Sequence, residues 1–342
     1  MTEPLVVGML YPSWWNPDFD EHLAELTALD PRVEVVVEAY EESSELRTAR
    51  GVPPWDDARS MAPELTDDQR AMFARIHCCL TLDLPFDVAT LAPQLQWVQA
   101  LGAGVAQLES AGLAEAGIRL TSAAGVNATA IAEFVIGRIL GEYKKVRALD
   151  EAQQQREWRP LFGEELAGKR LGLIGFGEIN QRVAVRARAL ELHVTALRRS
   201  GAPSELAERV FGPDQLLRLL GESDIVVAAV PESPETEGLM DEEAFAAMVP
   251  GSMFINVGRG PLVDEDAVVA ALTSGHLRAA ALDVTRVEPL PAASPLWDAP
   301  NLYLSAHCSS APDRLFVNLH ELFADNLVRF MAGEPLRNEQ RR

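Results

Sequence analysis

The chain has 342 residues, 48% of them hydrophobic and 24% charged, with a formal net charge of -21. That length favours two domains and that composition a packed core, while the charge repels nucleic acid and anionic lipid and excludes both as expected partners. No apolar run reaches the roughly 18 residues of a membrane helix. The opening Met1-Thr2-Glu3-Pro4 carries no basic stretch and leads into an apolar first strand, so the expectation is a cytoplasmic protein with no membrane partner. Cys78, Cys79 and Cys308 form neither a disulfide framework nor a metal-ligand spacing. Cys78 and Cys79 read as reduced core thiols, and no metal is expected.

Candidate strands at residues 5–10, 33–38, 76–81 and 95–99 alternate with helical patterns, which implies a parallel α/β sheet. Residues 41–66 are polar, charged and Pro-containing, and a loop of that length reads as a lid, an arm or a disordered segment. A long helix is expected over residues 124–147, with Asn127 near its start and Ile131, Val135, Ile139 and Leu140 on one face. Six further strands follow at residues 170–174, 193–197, 225–229, 253–257, 279–283 and 302–305, the Rossmann count. A last helix over residues 312–331 is expected to return to the first domain. The expected fold class is therefore α/β, with two Rossmann-like or flavodoxin-like domains, parallel sheets and a cleft between them. Residues 1–118 and 311–342 would form a substrate domain and residues 119–310 a dinucleotide-binding domain.

Gly175-Phe176-Gly177-Glu178-Ile179-Asn180 follows an apolar strand and opens a helix. The first glycine permits the tight turn, and the second lets the backbone approach a pyrophosphate at the helix N-terminus. Asn180 stands where a third glycine is usual, and Glu178 brings a charge that opposes phosphate, so backbone N–H groups must carry the binding. At the end of the next strand an Asp or Glu would take the ribose 2′-hydroxyl of NAD. This chain has Arg198-Arg199-Ser200 there. Two guanidinium forks and a hydroxyl suit a 2′-phosphate, so NADP is favoured over NAD, with a solvated surface pair as the alternative.

Downstream the motifs come in a dense order: Pro231-Glu232-Ser233-Pro234-Glu235-Thr236, Ile255-Asn256-Val257-Gly258-Arg259-Gly260, Ala281-Leu282-Asp283-Val284, Glu288-Pro289 and Ala306-His307. The series resembles the cofactor domain of the D-isomer-specific 2-hydroxyacid dehydrogenases, from about residue 120 to 310. Upstream, Gly102-Ala103-Gly104-Val105 resembles that family's substrate-binding loop. The resemblance implies a catalytic set of Arg259, Glu288 and His307. It also implies Asp283 at the nicotinamide carboxamide or ribose, Val257 and Gly258 lining the nicotinamide, Val230 and Pro231 near the adenosine side, Thr236 at the cofactor, and the amides of Ala103 and Gly104 on the substrate carboxylate.

The chemistry needs these types independently. Reducing a 2-keto acid takes a hydride at the carbonyl carbon and a proton at its oxygen, and histidine is the side chain that titrates near neutrality. A carboxylate bonded to it fixes the ring and favours the imidazolium. An arginine grips the substrate carboxylate with two bonds and polarises the carbonyl. The expected function is NAD(P)-dependent interconversion of a 2-keto acid and a D-2-hydroxy acid, with a small acid as partner and a homodimer as assembly. The D stereochemistry and the dimer come from the resemblance. The alternatives are a non-enzymatic dinucleotide-binding regulator on the same fold and a dehydrogenase of a non-carboxylate substrate. His307 follows Ala306, where the family has Pro, and precedes Cys308-Ser309-Ser310, where the family has an apolar-Gly pair. Trp14 and Trp15, just after the first strand, either wall a pocket for a bulky acid or pack the first domain.

Overall fold

The computed structural model describes residues 4–51 and 53–340. Residues 1–3, Val52 and residues 341–342, which the expected domain ranges and the 41–66 arm include, lie outside the described residues. The chain divides into two compact units, one of Met1–Val126 with Pro312–Arg342 and one of Asn127–Ala311.

In the first unit, among the described residues, five parallel strands lie in the order β2-β1-β3-β4-β5. They are β1 Leu5–Met9, β2 Val33–Val37, β3 Cys78–Thr81, β4 Trp97–Ala100 and β5 Arg119–Thr121. This is the flavodoxin-like order of a doubly wound sheet. β3 and β4 are buried at every residue, as a parallel sheet covered on both faces requires. One face packs on Leu10, Phe73 and Leu108. The other packs on Leu319, Phe323 and Leu327 of the C-terminal helix Pro312–Ala332, where Trp97 stacks on Phe323 at 5.2 Å. β5 corrects the expected boundary. Residues 119–126 belong to the first unit because Arg119–Thr121 pairs with β4, and a three-residue strand offers no periodicity to read. Cys78 and Cys79 are fully buried, and burial pushes both thiols up.

The described residues of the 41–66 segment form secondary structure rather than a structureless arm. It carries helices Ser44–Arg50 and Asp56–Arg59. Arg50 is fully buried, paired with the equally buried Glu42, and donates to Ser110 Oγ at 2.6 Å and to the Leu84 carbonyl. Composition signalled a loop because the pair is polar. Burial makes it an anchor, since removing one partner of such a pair typically destabilises by about 3–5 kcal/mol. Of the two tryptophans after β1, Trp15 packs against the core and Trp14 stays 78% exposed.

The second unit holds, among the described residues, a seven-stranded parallel sheet in the order β12-β11-β10-β9-β6-β7-β8. Its strands are β6 Arg170–Ile174, β7 His193–Leu197, β8 Arg209–Phe211, β9 Ile225–Ala228, β10 Ser252–Asn256, β11 Leu277–Leu282 and β12 Leu302–Leu304. The first six make the Rossmann order, and β12 extends it by one. The expectation of six strands missed β8, which is three residues long and follows a polar stretch. The helix expected over 124–147 is two. The first, Ala128–Tyr143, ends before Lys145, whose φ of 59° starts the second, Val146–Gln154. Among the described residues no helix is long and apolar enough to cross a membrane.

Candidate active site

The order of the second sheet reverses between β6 and β9, and the chain leaving their C-terminal ends opens a crevice there. Gly175 sits at φ 80° just after β6. A Cβ on it would lie 2.6 Å from Val230 Cγ1 and 2.7 Å from the Ala229 carbonyl oxygen, so the turn after β6 touches the turn after β9. At Gly177 a Cβ would meet nothing within 4 Å, which leaves the backbone at the start of helix Glu178–Ala189 open to a ligand. Asn180 is fully buried and its Nδ2 donates to the carbonyls of Ile174, at 3.0 Å, and Gly175, at 2.6 Å. It closes the turn by hydrogen bonds where a third glycine would close it by packing.

These turns line a groove of about 580 Å³, apolar along Phe176, Val230, Pro231 and Leu239 and ending at Arg198, Arg199 and Ser200. Thr236 lines it too, its hydroxyl donating to the Pro231 carbonyl at 2.8 Å. Phe176 contributes one edge while most of its ring lies in the core. Glu178 is exposed and Ile179 packs against the core, and neither lines the groove. The two arginines divide. Arg198 Nη2 donates to the carbonyls of Ala202 and Pro203, so that fork holds its own loop. Arg199 is exposed and makes no ion pair among the described residues.

The candidate catalytic residues leave three neighbouring strands. Arg259 follows β10, Glu288 follows β11 and His307 follows β12. Two glycines let these loops close on their neighbours. A Cβ on Gly258 would lie 2.8 Å from the Val230 carbonyl oxygen, and one on Gly260 would lie 1.9 Å from that of Thr285. Asn256 clamps the first loop, accepting from Gly258 N at 3.0 Å and donating to the Arg259 carbonyl at 2.9 Å. Val257 and Gly258 are buried beside it. The half-buried Arg259 guanidinium donates to its neighbour's carbonyl, Gly258 O, at 2.8 Å and makes no ion pair among the described residues.

Glu288 and His307 meet. His307 Nδ1 lies 2.8 Å from Glu288 Oε2, and Glu288 Oε1 accepts from Thr285 N at 3.0 Å. The carboxylate is therefore fixed from both sides, and the ring presents Nε2 as its remaining nitrogen. Both side chains are partly exposed, 53% for His307 and 38% for Glu288. His307 has a φ of 49°, a left-handed conformation that costs a residue with a side chain roughly 1–3 kcal/mol and is held only by its surroundings. Asp283 is 2% exposed. Its carboxylate accepts from Ser305 Oγ at 2.7 Å, Cys308 N at 3.0 Å, Ser309 N at 3.2 Å and Ser309 Oγ at 2.5 Å. The resemblance gave Asp283 to the nicotinamide carboxamide or ribose. Here its four acceptor positions are filled by the chain.

In the first unit, the loop after β4 leaves Ala103 and Gly104 exposed, and their amides make no hydrogen bond among the described residues. The other histidines are engaged elsewhere. His22 and His320 stack at 4.1 Å, His77 accepts from Val6 N, His193 meets Glu208 at 2.7 Å and His276 meets the Met248 carbonyl. The pairing of His193 was not visible from its sequence neighbours, because Glu208 lies 15 residues away. Asn256, Ser305 and Ser309 were also missed. Small polar residues at strand ends carry little signal until their partners are known. No group of three or more His, Cys, Asp or Glu able to hold a metal occurs among the described residues.

Residues 136–309 match the family model for the D-isomer specific 2-hydroxyacid dehydrogenase, NAD binding domain. A glyoxylate reductase from Thermofilum pendens is 34% identical over 266 residues, 75% of this chain and 78% of that protein. A D-isomer specific 2-hydroxyacid dehydrogenase from Xanthobacter autotrophicus, solved with NADPH and MES, is similar with a TM-score of 0.75 and 28% identity, covering 99% of this chain and 98% of that one. An NADPH-dependent glyoxylate/hydroxypyruvate reductase from Sinorhizobium meliloti, solved with NADP and sulfate, has a TM-score of 0.72 at 25% identity, with 99% and 98% covered. The intact strand-end set and this similarity together favour the enzyme over the non-enzymatic regulator. The chain belongs to the D-isomer specific 2-hydroxyacid dehydrogenase family and is an NAD(P)-dependent oxidoreductase.

Proposed function

We propose that the chain reduces a small 2-keto acid of the glyoxylate or hydroxypyruvate type to the D-2-hydroxy acid, with NADPH in preference to NADH, as a homodimer in a reducing cytoplasm. The observation that carries the reading is the 2.8 Å contact between His307 Nδ1 and Glu288 at adjacent strand ends. With Nδ1 given to a carboxylate, Nε2 is left to deliver a proton to a carbonyl oxygen. Arg259, with no carboxylate of its own, holds an acidic substrate and draws electron density from its carbonyl. In the first unit, the free amides of Ala103 and Gly104 are donors of the kind a carboxylate needs.

The residues of the groove fit a dinucleotide. The backbone at Gly177 is open beside a helix N-terminus, the walls are apolar, and the far end carries an exposed guanidinium and a hydroxyl, Arg199 and Ser200, with Glu235 nearby. When bound there, the cofactor supplies the hydride. Arg199 replaces the acid that would select NAD, and the relatives solved with NADPH or NADP support the same preference. Arg198, tied to Ala202 and Pro203, holds the loop that presents Arg199.

For the dimer, apolar side chains stand out around helix Val146–Gln154: Val146 and Leu149 are 46% and 42% exposed, and Trp158 and Phe162 are 103% and 88% exposed. An apolar set of this kind is a signature of a protein interface, and a two-fold dimer is the commonest closed assembly.

Three measurements follow. His307→Gln should lower kcat about 10²–10⁴-fold, the usual worth of general acid catalysis, with NADPH binding retained; near-wild-type turnover would remove His307 from the mechanism. Arg199→Asp should reduce kcat/KM for NADPH by about 10–100-fold, the loss of a charge-assisted bond, and leave NADH within about threefold; equal use of both cofactors by the wild type would refute the preference. Light scattering at micromolar concentration should give twice the 37.3 kDa chain mass, and Trp158→Ser with Phe162→Ser should shift it to monomer; a monomeric wild type would end the dimer reading.

A further inference from the structure

The loop that carries His307 departs from its family at both ends, with Ala306 before the histidine and Cys308-Ser309-Ser310 after it. A proline before the histidine would restrict the backbone leading into it. Alanine supplies no such restriction, yet His307 sits in the left-handed region at φ 49°. What determines that conformation is a set of bonds to one residue. His307 N donates to the Asp283 carbonyl at 2.8 Å, and the next two amides, Cys308 N and Ser309 N, donate to the Asp283 carboxylate. Successive amides turned by a left-handed residue onto one anion form an anion nest. Two hydroxyls complete it, Ser305 Oγ on Asp283 Oδ1 at 2.7 Å and Ser309 Oγ on Oδ2 at 2.5 Å. Ser305 lies just beyond the end of β12, two residues before His307, and Ser309 two residues after it, itself buried.

We infer that Ser305 and Ser309 are positioning residues for His307, clamping its loop to Asp283 from either side and so holding the imidazole on Glu288. Neither hydroxyl is free to touch a substrate through its proton, because each proton is given to Asp283. Their effect on turnover passes through the angle at which His307 presents its ring. A displacement of about 1 Å at such a group lowers the rate by about 10²-fold.

This inference rests on the proposed role of His307, and its test separates the two. Ser309→Ala and Ser305→Ala should each lower kcat about tenfold or more, leave the Kd for NADPH within about twofold, and move the pH profile of kcat. Ser309→Thr, which restores a hydroxyl, should recover most of the rate. In nitrogen-15 spectra the Nδ1 signal of His307 should lose its carboxylate-bonded signature in the alanine variants and keep it in the threonine variant. That signal needs no turnover. If the wild type reduces no 2-keto acid, the functional reading fails, and the spectra alone decide the clamp. Alanine variants with unchanged kcat, pH profile and Nδ1 signal would overturn it. So would variants whose whole loss lies in the Kd for NADPH, which would make Asp283 and its serines cofactor holders. If Ser305→Ala fails to fold, the Ser309→Ala and Ser309→Thr pair carries the test.

Discussion

The site depends on close approach of bare backbone along the C-terminal edge of the larger sheet. Gly260 has room for no Cβ, since one would lie 1.9 Å from the Thr285 carbonyl oxygen, and Gly175 and Gly258 meet the turn after β9 in the same way. A substitution at any of the three forces backbone apart, because the atoms in the way include carbonyl oxygens and not only the ends of flexible side chains. The turn after β6 and the loop after β10 therefore both rest on the chain after β9, and the loop after β10 rests on that after β11. The groove and the loop of Arg259 are set by one steric constraint, and Glu288 is fixed through Thr285 N within the same contact.

From there the chemistry is carried by polar groups placed with few degrees of freedom. Glu288 accepts from a backbone amide and from His307, and Asp283 accepts from both sides of the histidine. Two carboxylates thus divide the work on one imidazole, one on its ring and one on its backbone. The groove ends on Arg198, Arg199 and Ser200, with Glu235 also in its lining.

Much of this was legible in the residues. Ten of the strands lie where apolar runs placed them, and the glycine turn, the strand-end motifs and the candidate triad were all readable because each is a local pattern. What escaped had a physical reason. β5 and β8 are three residues long and each begins on an arginine, so unlike the equally short β12 neither presents an apolar run. The 41–66 segment looked like an arm because a buried ion pair, Arg50 with Glu42, has the same composition as a solvated one. Arg198 and Arg199 were equivalent in sequence and differ in surroundings, since only the fold brings the carbonyls of Ala202 and Pro203 onto Arg198. The donors that Asp283 accepts from were not readable because they lie 22–26 residues further along.

The central claim is that a 2-keto acid held at the strand ends would take a hydride at its carbonyl carbon directly from NADPH and a proton at its oxygen from His307. Reduction of hydroxypyruvate with NADPH deuterated at the transferable C4 position, followed by chiral separation and mass spectrometry of the product, tests it directly. The account predicts D-glycerate with one deuterium at C2, formed about 10²–10⁴-fold more slowly by the His307→Gln enzyme but with the same label. Unlabelled glycerate, the L isomer, or no product with any 2-keto acid tried would contradict it.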